Sequence, residues 1–455
     1  MKFDTLGFIE SAVRIPSVSA KSEHAADVRK CAEFYNAQFL KLGFESEIVP
    51  TKMHPIVFAR RKARVRAKFG ILCYGHYDVQ PAEPLEKWHS EPFIARVEGG
   101  SVFGRGVADN KGPFACMLAG VADFLEKNPD APIDFGIVVE GEEEVGSPSM
   151  PEFIARRAAE LSKYDFVMLS DTSSFAERVV VTTGLRGTGS VDAIFRGANT
   201  DVHSGMFGGV IYNPLQAMAE VCASLHSPDG LVNIPHFYDG IGEIRDWEKR
   251  EIQQSPFGEA QIKRLLGIDS LYRQGDVPPA LAGRVLPALE FVGMGGGYQG
   301  EGSKSVIPAE CFCKISIRTV PPQKTADMLE LVKNAIRERT PKQIRVEFVE
   351  YGAGGDGYFI DRHGDFKGQK GEKLAKVFDA VEACAKRAFG DRPLFLREGA
   401  SIPLMADIKS FTGLDCIMLG LFTPENNIHA PDENFSIQTI KKAAAYYADF
   451  LETLC

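Results

Sequence analysis

Apolar and polar positions along this chain fall into two textures. Residues 4–14 and 23–42 carry the spacing of amphipathic helices. Val28, Ala32, Tyr35, Phe39 and Leu40 form one stripe of the second helix, and Gly43 stands at its end. Short apolar runs then predict strands near 45–49, 55–60, 69–75, 133–139 and 165–169, alternating with helices over 113–125 and 151–161. Pro113 suits a first helical turn, where its missing N–H costs no hydrogen bond. Strands this apolar, alternating with helices, predict an α/β domain around a mainly parallel sheet.

Past about residue 184 the pattern changes. Residues 187–197, 311–320 and 344–351 alternate as half-exposed strands, and 212–225 and 324–339 read as helices. Between them, 227–285 is polar and irregular. This is α+β texture, with antiparallel strands open on one face. A glycine-rich run over 352–357 is a candidate boundary. The first texture then resumes with a helix over 372–389 and strands at 394–396 and 416–419. The expected organisation is one α/β domain built from 1–184 and 353–455, interrupted by an inserted α+β domain over 185–352.

Composition narrows the picture. The 455 residues hold 52 Lys and Arg against 61 Asp and Glu, a net charge of −9. That balance argues against nonspecific nucleic-acid binding. The dense basic run 60–68 reads instead as a solvated hairpin leading into the strand at 69–75. No window reaches the ~18 uninterrupted apolar residues of a membrane helix, and the N-terminus does not resemble a secretory leader. The nine scattered cysteines show neither zinc-finger nor redox spacing. Buried thiols in a reducing compartment are the expectation, and with them a cytoplasmic location.

Candidate chemistry gathers where strands end. His76 and Asp78 follow the apolar run 69–74, and Pro81 closes that strand because it cannot donate to a ladder. An imidazole beside a carboxylate at a strand mouth suits a metal ligand with its orienting partner. Asp109 stands in a glycine-rich loop before a helix, where it reads as a ligand or as an N-cap. Glu142, Glu143 and Glu144 follow the apolar run 137–139. Two adjacent acids there could divide metal binding and proton transfer. Asp171 closes another strand, and His429 sits in a polar loop near the C-terminus. Open α/β sheets collect ligands beyond the carboxyl ends of their strands.

Taken in order, G-H-Y-D-V-Q-P, G-R-G-V-A-D-N-K-G, E-G-E-E-E-V-G-S, L-S-D-T, D-V-H-S-G and N-N-I-H-A-P-D-E resemble the dinuclear zinc metallopeptidases of the carnosinase and cytosolic nonspecific dipeptidase family. Aminoacylases, acetylornithine deacetylases and glutamate carboxypeptidases are relatives. The resemblance implies a zinc-exopeptidase-like domain carrying an inserted lid and dimerisation domain. It implies His76, Asp109, Glu144, Asp171 and His429 as ligands of two divalent ions, with Asp109 bridging. Zinc is the expected metal, and manganese or cobalt also suit nitrogen and oxygen donors. Glu143 would be the general base and Asp78 would orient His76 or the base. His203 would stabilise the oxyanion across a homodimer interface, while Arg318, Ser305 and Ser401 would bind substrate. The peptide between Asp109 and Asn110 would be cis. Asn110 stands where the family often has Asp, and Glu142 where it often has an apolar or uncharged residue.

The implied activity is hydrolysis of dipeptides or short peptides. Deacylation of N-acyl amino acids is the alternative on the same site. A noncatalytic metal or peptide binder on this fold is a third reading.

Overall fold

The computed structural model describes residues 3–176, 178–256, 258–352, 354–364 and 368–455. The chain divides into two compact units. The first comprises Met1–Thr183, Ile360–Leu396 and Asp407–Cys455; the second comprises Gly184–Phe359 and Arg397–Ala406.

The first unit is organised by one sheet. Its order is Glu45–Val49, Ile56–Arg61, Ile133–Glu140, Phe69–His76, Phe166–Leu169, Asp415–Leu419 and Val180–Leu185. The four strands from Ile133–Glu140 to Asp415–Leu419 are parallel. The pairings flanking them are antiparallel. Every residue of Phe69–His76 is buried, so both faces of this strand are covered. The strand therefore delivers its last side chain, His76, into the interior.

Helix Thr5–Val13 starts where the Asp4 side chain accepts the Gly7 N–H at 3.0 Å. Helix Lys111–Lys127 buries most of its length and packs against the C-terminal helix Ile437–Leu454. Gly120 permits that approach: a Cβ there would lie 2.3 Å from Tyr447 Cβ and 2.9 Å from the Ala448 nitrogen. The C-terminal helix has no counterpart in the sequence expectations above.

The second unit carries a four-stranded antiparallel sheet, in the order Ala288–Gly296, Glu310–Thr319, Gly187–Arg196 and Arg345–Glu350. Burial alternates along Glu310–Thr319, and Cys311, Cys313, Ile315 and Ile317 share the inner face. Helices Pro214–Ser224 and Thr325–Arg339 supply the apolar residues that cover it.

Two expectations need correction. The basic run is not a hairpin, because Ile133–Glu140 lies between Ile56–Arg61 and Phe69–His76 and pairs with both. An apolar strand with two buried faces also needs a ladder on each edge, and its sequence neighbour does not fill that place. The region 227–285 is not irregular throughout. It forms helices Asp246–Gln253, Glu259–Leu266 and Pro279–Val285, which are short and polar enough to blur the helical period. Eight of the nine cysteines are buried free thiols and Cys455 is exposed. No helix among the described residues is long and apolar enough to cross a membrane.

Candidate metal centre

His76 is fully buried where its strand ends. Its Nδ1 lies 3.1 Å from the Asp78 backbone oxygen and 3.3 Å from Asp78 Oδ1. The other ring nitrogen, Nε2, is thereby turned toward Asp109 Oδ1 at 3.2 Å and Asp171 Oδ1 at 3.7 Å. Asp78 also accepts the Glu143 N–H at 3.3 Å and the Glu144 N–H at 3.1 Å. One buried carboxylate thus anchors both the imidazole and the turn bearing the two glutamates.

The Asp109–Asn110 peptide is cis. Gly106 lets the preceding loop close: its φ is +87°, and a Cβ would lie 2.5 Å from Val79 Cγ1. Glu433 then clamps this loop from the C-terminal segment. Its Oε1 accepts the Ala108 and Asp109 N–H groups at 2.8 and 3.0 Å. Its Oε2 accepts from Gly106 N–H at 2.9 Å and Arg105 Nη1 at 2.7 Å. Glu433 lies inside the last quoted motif, yet its clamp was not anticipated from the sequence; an acid four residues after His429 was the available signal.

Asn110 Nδ2 donates to Asp171 Oδ1 at 2.9 Å, so the residue that departs from the family pattern supports a neighbouring carboxylate. His429 adopts a φ of +60° in a loop where Asn427 and Asp432 are also left-handed. Its Nε2 lies 2.9 Å from Asp109 Oδ2 and 3.4 Å from Glu144 Oε2. Gln80 Nε2 donates to Glu144 Oε2 at 2.8 Å.

These contacts make two triads sharing one residue. His76, Asp109 and Asp171 form one; Asp109, Glu144 and His429 form the other. Asp109 turns Oδ1 toward the first histidine and Oδ2 toward the second. Burial, reinforced by Asp171, Asp109 and Asp78, pushes the Glu143 carboxyl well up from its ordinary range. Glu144 is pushed up by burial and by Asp109 in particular. Against burial, His429 and His76 pull Asp109 down. Burial opposes protonation of His76, but Asp171, Asp109 and Asp78 together raise its pKa well above the usual value.

The donor set fits divalent cations. It combines imidazole nitrogens with carboxylate oxygens in a negatively charged enclosure. Glu144 Oε1 is buried without a hydrogen-bond partner among the described residues, which leaves a carboxylate oxygen of one triad with unused lone pairs.

In the second unit, strand Val202–His203 pairs with Val306–Ile307, and the Ser204 N–H donates to the Ser305 carbonyl at 3.2 Å. His203 and Ser305 are therefore neighbours, both exposed. His203 Nδ1 accepts the Gly205 N–H at 3.0 Å. Arg318 Nη1 donates to Ser401 Oγ at 2.7 Å, bringing those two residues together on half-buried ground.

A largely parallel sheet whose strand ends and adjoining loops hold paired imidazole–carboxylate triads defines a scaffold suited to divalent metal ions. The chain matches Peptidase family M20/M25/M40 over residues 72–453 and belongs to that family. It is 28% identical to the Cys-Gly metallodipeptidase of Schizosaccharomyces pombe, covering 98% of this chain and 94% of that one. It is 26% identical to the Beta-Ala-His dipeptidase of Mus musculus, covering 83% and 76%. Among solved structures, the M20 family metallo-carboxypeptidase Sso-CP2 from Sulfolobus solfataricus superposes with a TM-score of 0.86. It is 26% identical and aligned over 99% of both chains.

Proposed function

We propose that this chain is a metal-dependent dipeptidase that hydrolyses the peptide bond of dipeptides or short peptides. The observation carrying this reading is the pair of triads that share Asp109 beside Glu143. His76 and Asp171 would hold one divalent ion, and Glu144 and His429 the other, with Asp109 between them. Zinc is the proposed metal. Bound there, the ions would polarise the scissile carbonyl and acidify the attacking water.

Glu143 takes a proton from that water and delivers it to the leaving amine nitrogen as the C–N bond breaks. Asp78 keeps His76 turned inward and pins the Glu143–Glu144 turn through two N–H groups. Arg318, with Ser401 against its guanidinium, offers charge-assisted hydrogen bonds to a substrate carboxylate. Ser305 adds a further contact to that group. His203, supplied across a homodimer interface, stabilises the oxyanion. A cytoplasmic location accords with the buried free thiols.

The test is turnover of Cys-Gly, β-Ala-His and N-acetylmethionine by purified enzyme loaded with zinc, manganese or cobalt. Dipeptide cleavage is expected, and preference for N-acetylmethionine would overturn it in favour of deacylation. Glu143→Gln should retain metal while losing roughly 10²–10⁴-fold in kcat. Turnover near wild type in that variant would remove Glu143 from its role. No turnover of any substrate by the loaded protein would favour a binding protein.

A further inference from the structure

Glu142 is buried, but its carboxylate belongs to neither triad. Oε1 accepts from the His54 N–H at 2.7 Å and Ser149 Oγ at 2.9 Å, and it lies 3.1 Å from Thr51 Oγ, whose single hydroxyl proton also reaches the His54 carbonyl at 2.6 Å. Oε2 accepts from the Ser149 N–H at 2.9 Å. Thr51 and His54 lie in the loop between Glu45–Val49 and Ile56–Arg61, while Ser149 directly precedes helix Met150–Leu161. A carboxylate at that helix start is also favoured by the helix dipole. The Glu142 carbonyl closes the following turn, accepting from Val145 N–H at 3.1 Å and Ser147 N–H at 2.7 Å.

The turn carrying Glu143 and Glu144 is consequently held by two carboxylates, and Gln80 Nε2 also reaches the Glu144 carbonyl at 3.4 Å. Asp78 holds it through the backbone N–H groups of both residues. Glu142 ties it to the 51–54 loop and to Ser149. An apolar side chain at position 142 has no acceptor for the His54 and Ser149 N–H groups or the Ser149 hydroxyl.

We propose that Glu142 is a positioning residue that aims the neighbouring Glu143 carboxylate at the reacting water. The inference rests on the reading of Glu143 as the base. Glu142→Gln preserves volume but replaces one acceptor oxygen with a donor. Displacement of a reacting group by about 1 Å costs on the order of 10²-fold. The expected result with zinc-loaded enzyme and Cys-Gly is a fall in kcat of about 10- to 100-fold. KM and metal content should stay at wild-type values.

The variant Ser149→Ala removes a hydroxyl donor to Glu142 without touching the acid. It should lower kcat in the same direction, and adding it to Glu142→Gln should produce less than the product of the separate losses. A purely structural role predicts a lower melting temperature with kcat unchanged; that result overturns the proposal. Loss of activity that tracks loss of metal overturns it too. If Glu142→Gln fails to fold, the hydroxyl variant decides by the same kcat criterion. Glu143→Gln is measured alongside. Its retention of turnover would sink the base assignment, whereas an inactive Glu143→Gln beside a fully active Glu142→Gln would sink this inference alone.

Discussion

Glu433→Gln probes how firmly the Asp109 loop must be held. The native carboxylate is completely buried and accepts four donors, at 2.7, 2.8, 2.9 and 3.0 Å. The amide keeps the volume but has only one acceptor oxygen. If that oxygen faces Arg105 and Gly106, the N–H groups of Ala108 and Asp109 meet another donor. Each buried group left unsatisfied costs about 1–3 kcal/mol. The opposite orientation strips a buried guanidinium of its partner, at about 3–5 kcal/mol. Two unsatisfied N–H groups put the first orientation at about 2–6 kcal/mol, overlapping the second, and the side chain takes the cheaper of the two, so the expected destabilisation is about 2–5 kcal/mol. Against the 5–15 kcal/mol typical of folded domains, the variant still folds. Thermal unfolding should shift down by at least about 4 °C, since 1 kcal/mol corresponds to about 2–4 °C for a large domain. In either orientation the loss falls on the loop that carries Asp109, so metal retention against a competing chelator should weaken as well. A melting temperature within about 1 °C of wild type, with unchanged metal retention, would refute the clamp.

Two further outcomes follow from the same geometry. Metal analysis of Asp109→Asn should show loss at both sites, because each oxygen of Asp109 faces a different triad, whereas His429→Ala should lose one ion of two. Equal loss in the two variants would contradict a shared aspartate. Thiol titration at pH 8 should find one fast cysteine, Cys455, in the native protein and nine after denaturation. Burial pushes the Cys73 thiol up to about 12, which suppresses its thiolate as well as shielding it. Several fast native thiols would mean that the core opens on the assay timescale.

Strand ends and the acids beside them were legible in the sequence because local chemistry writes them. An apolar run that stops at His76, or at Glu140 before three further acids, marks the point where a buried strand meets a polar site. Helix Lys111–Lys127 was legible for the same reason, through its apolar content and Pro113 near its start. Strand Ala288–Gly296 was not, since glycines at 293, 295 and 296 interrupt its alternation. The basic connection at 60–68 looked local, but its flanking strands are separated by one that comes some 70 residues later.

The sequence by itself determined which residue types stand at the strand ends and the order in which they occur. Hydrophobic periodicity and turn chemistry act over a few residues, and so they survive in the linear pattern. Tertiary structure alone decided that Asp109 divides its two oxygens between His76 and His429, residues 33 and 320 positions away. It also decided that Glu433 clamps the Asp109 loop and that Glu142 clasps Thr51, His54 and Ser149. These are pairings between buried charges and donors brought together only when the sheet closes. Burial makes an unpaired member costly, but no local spacing rule says which distant partner will meet it.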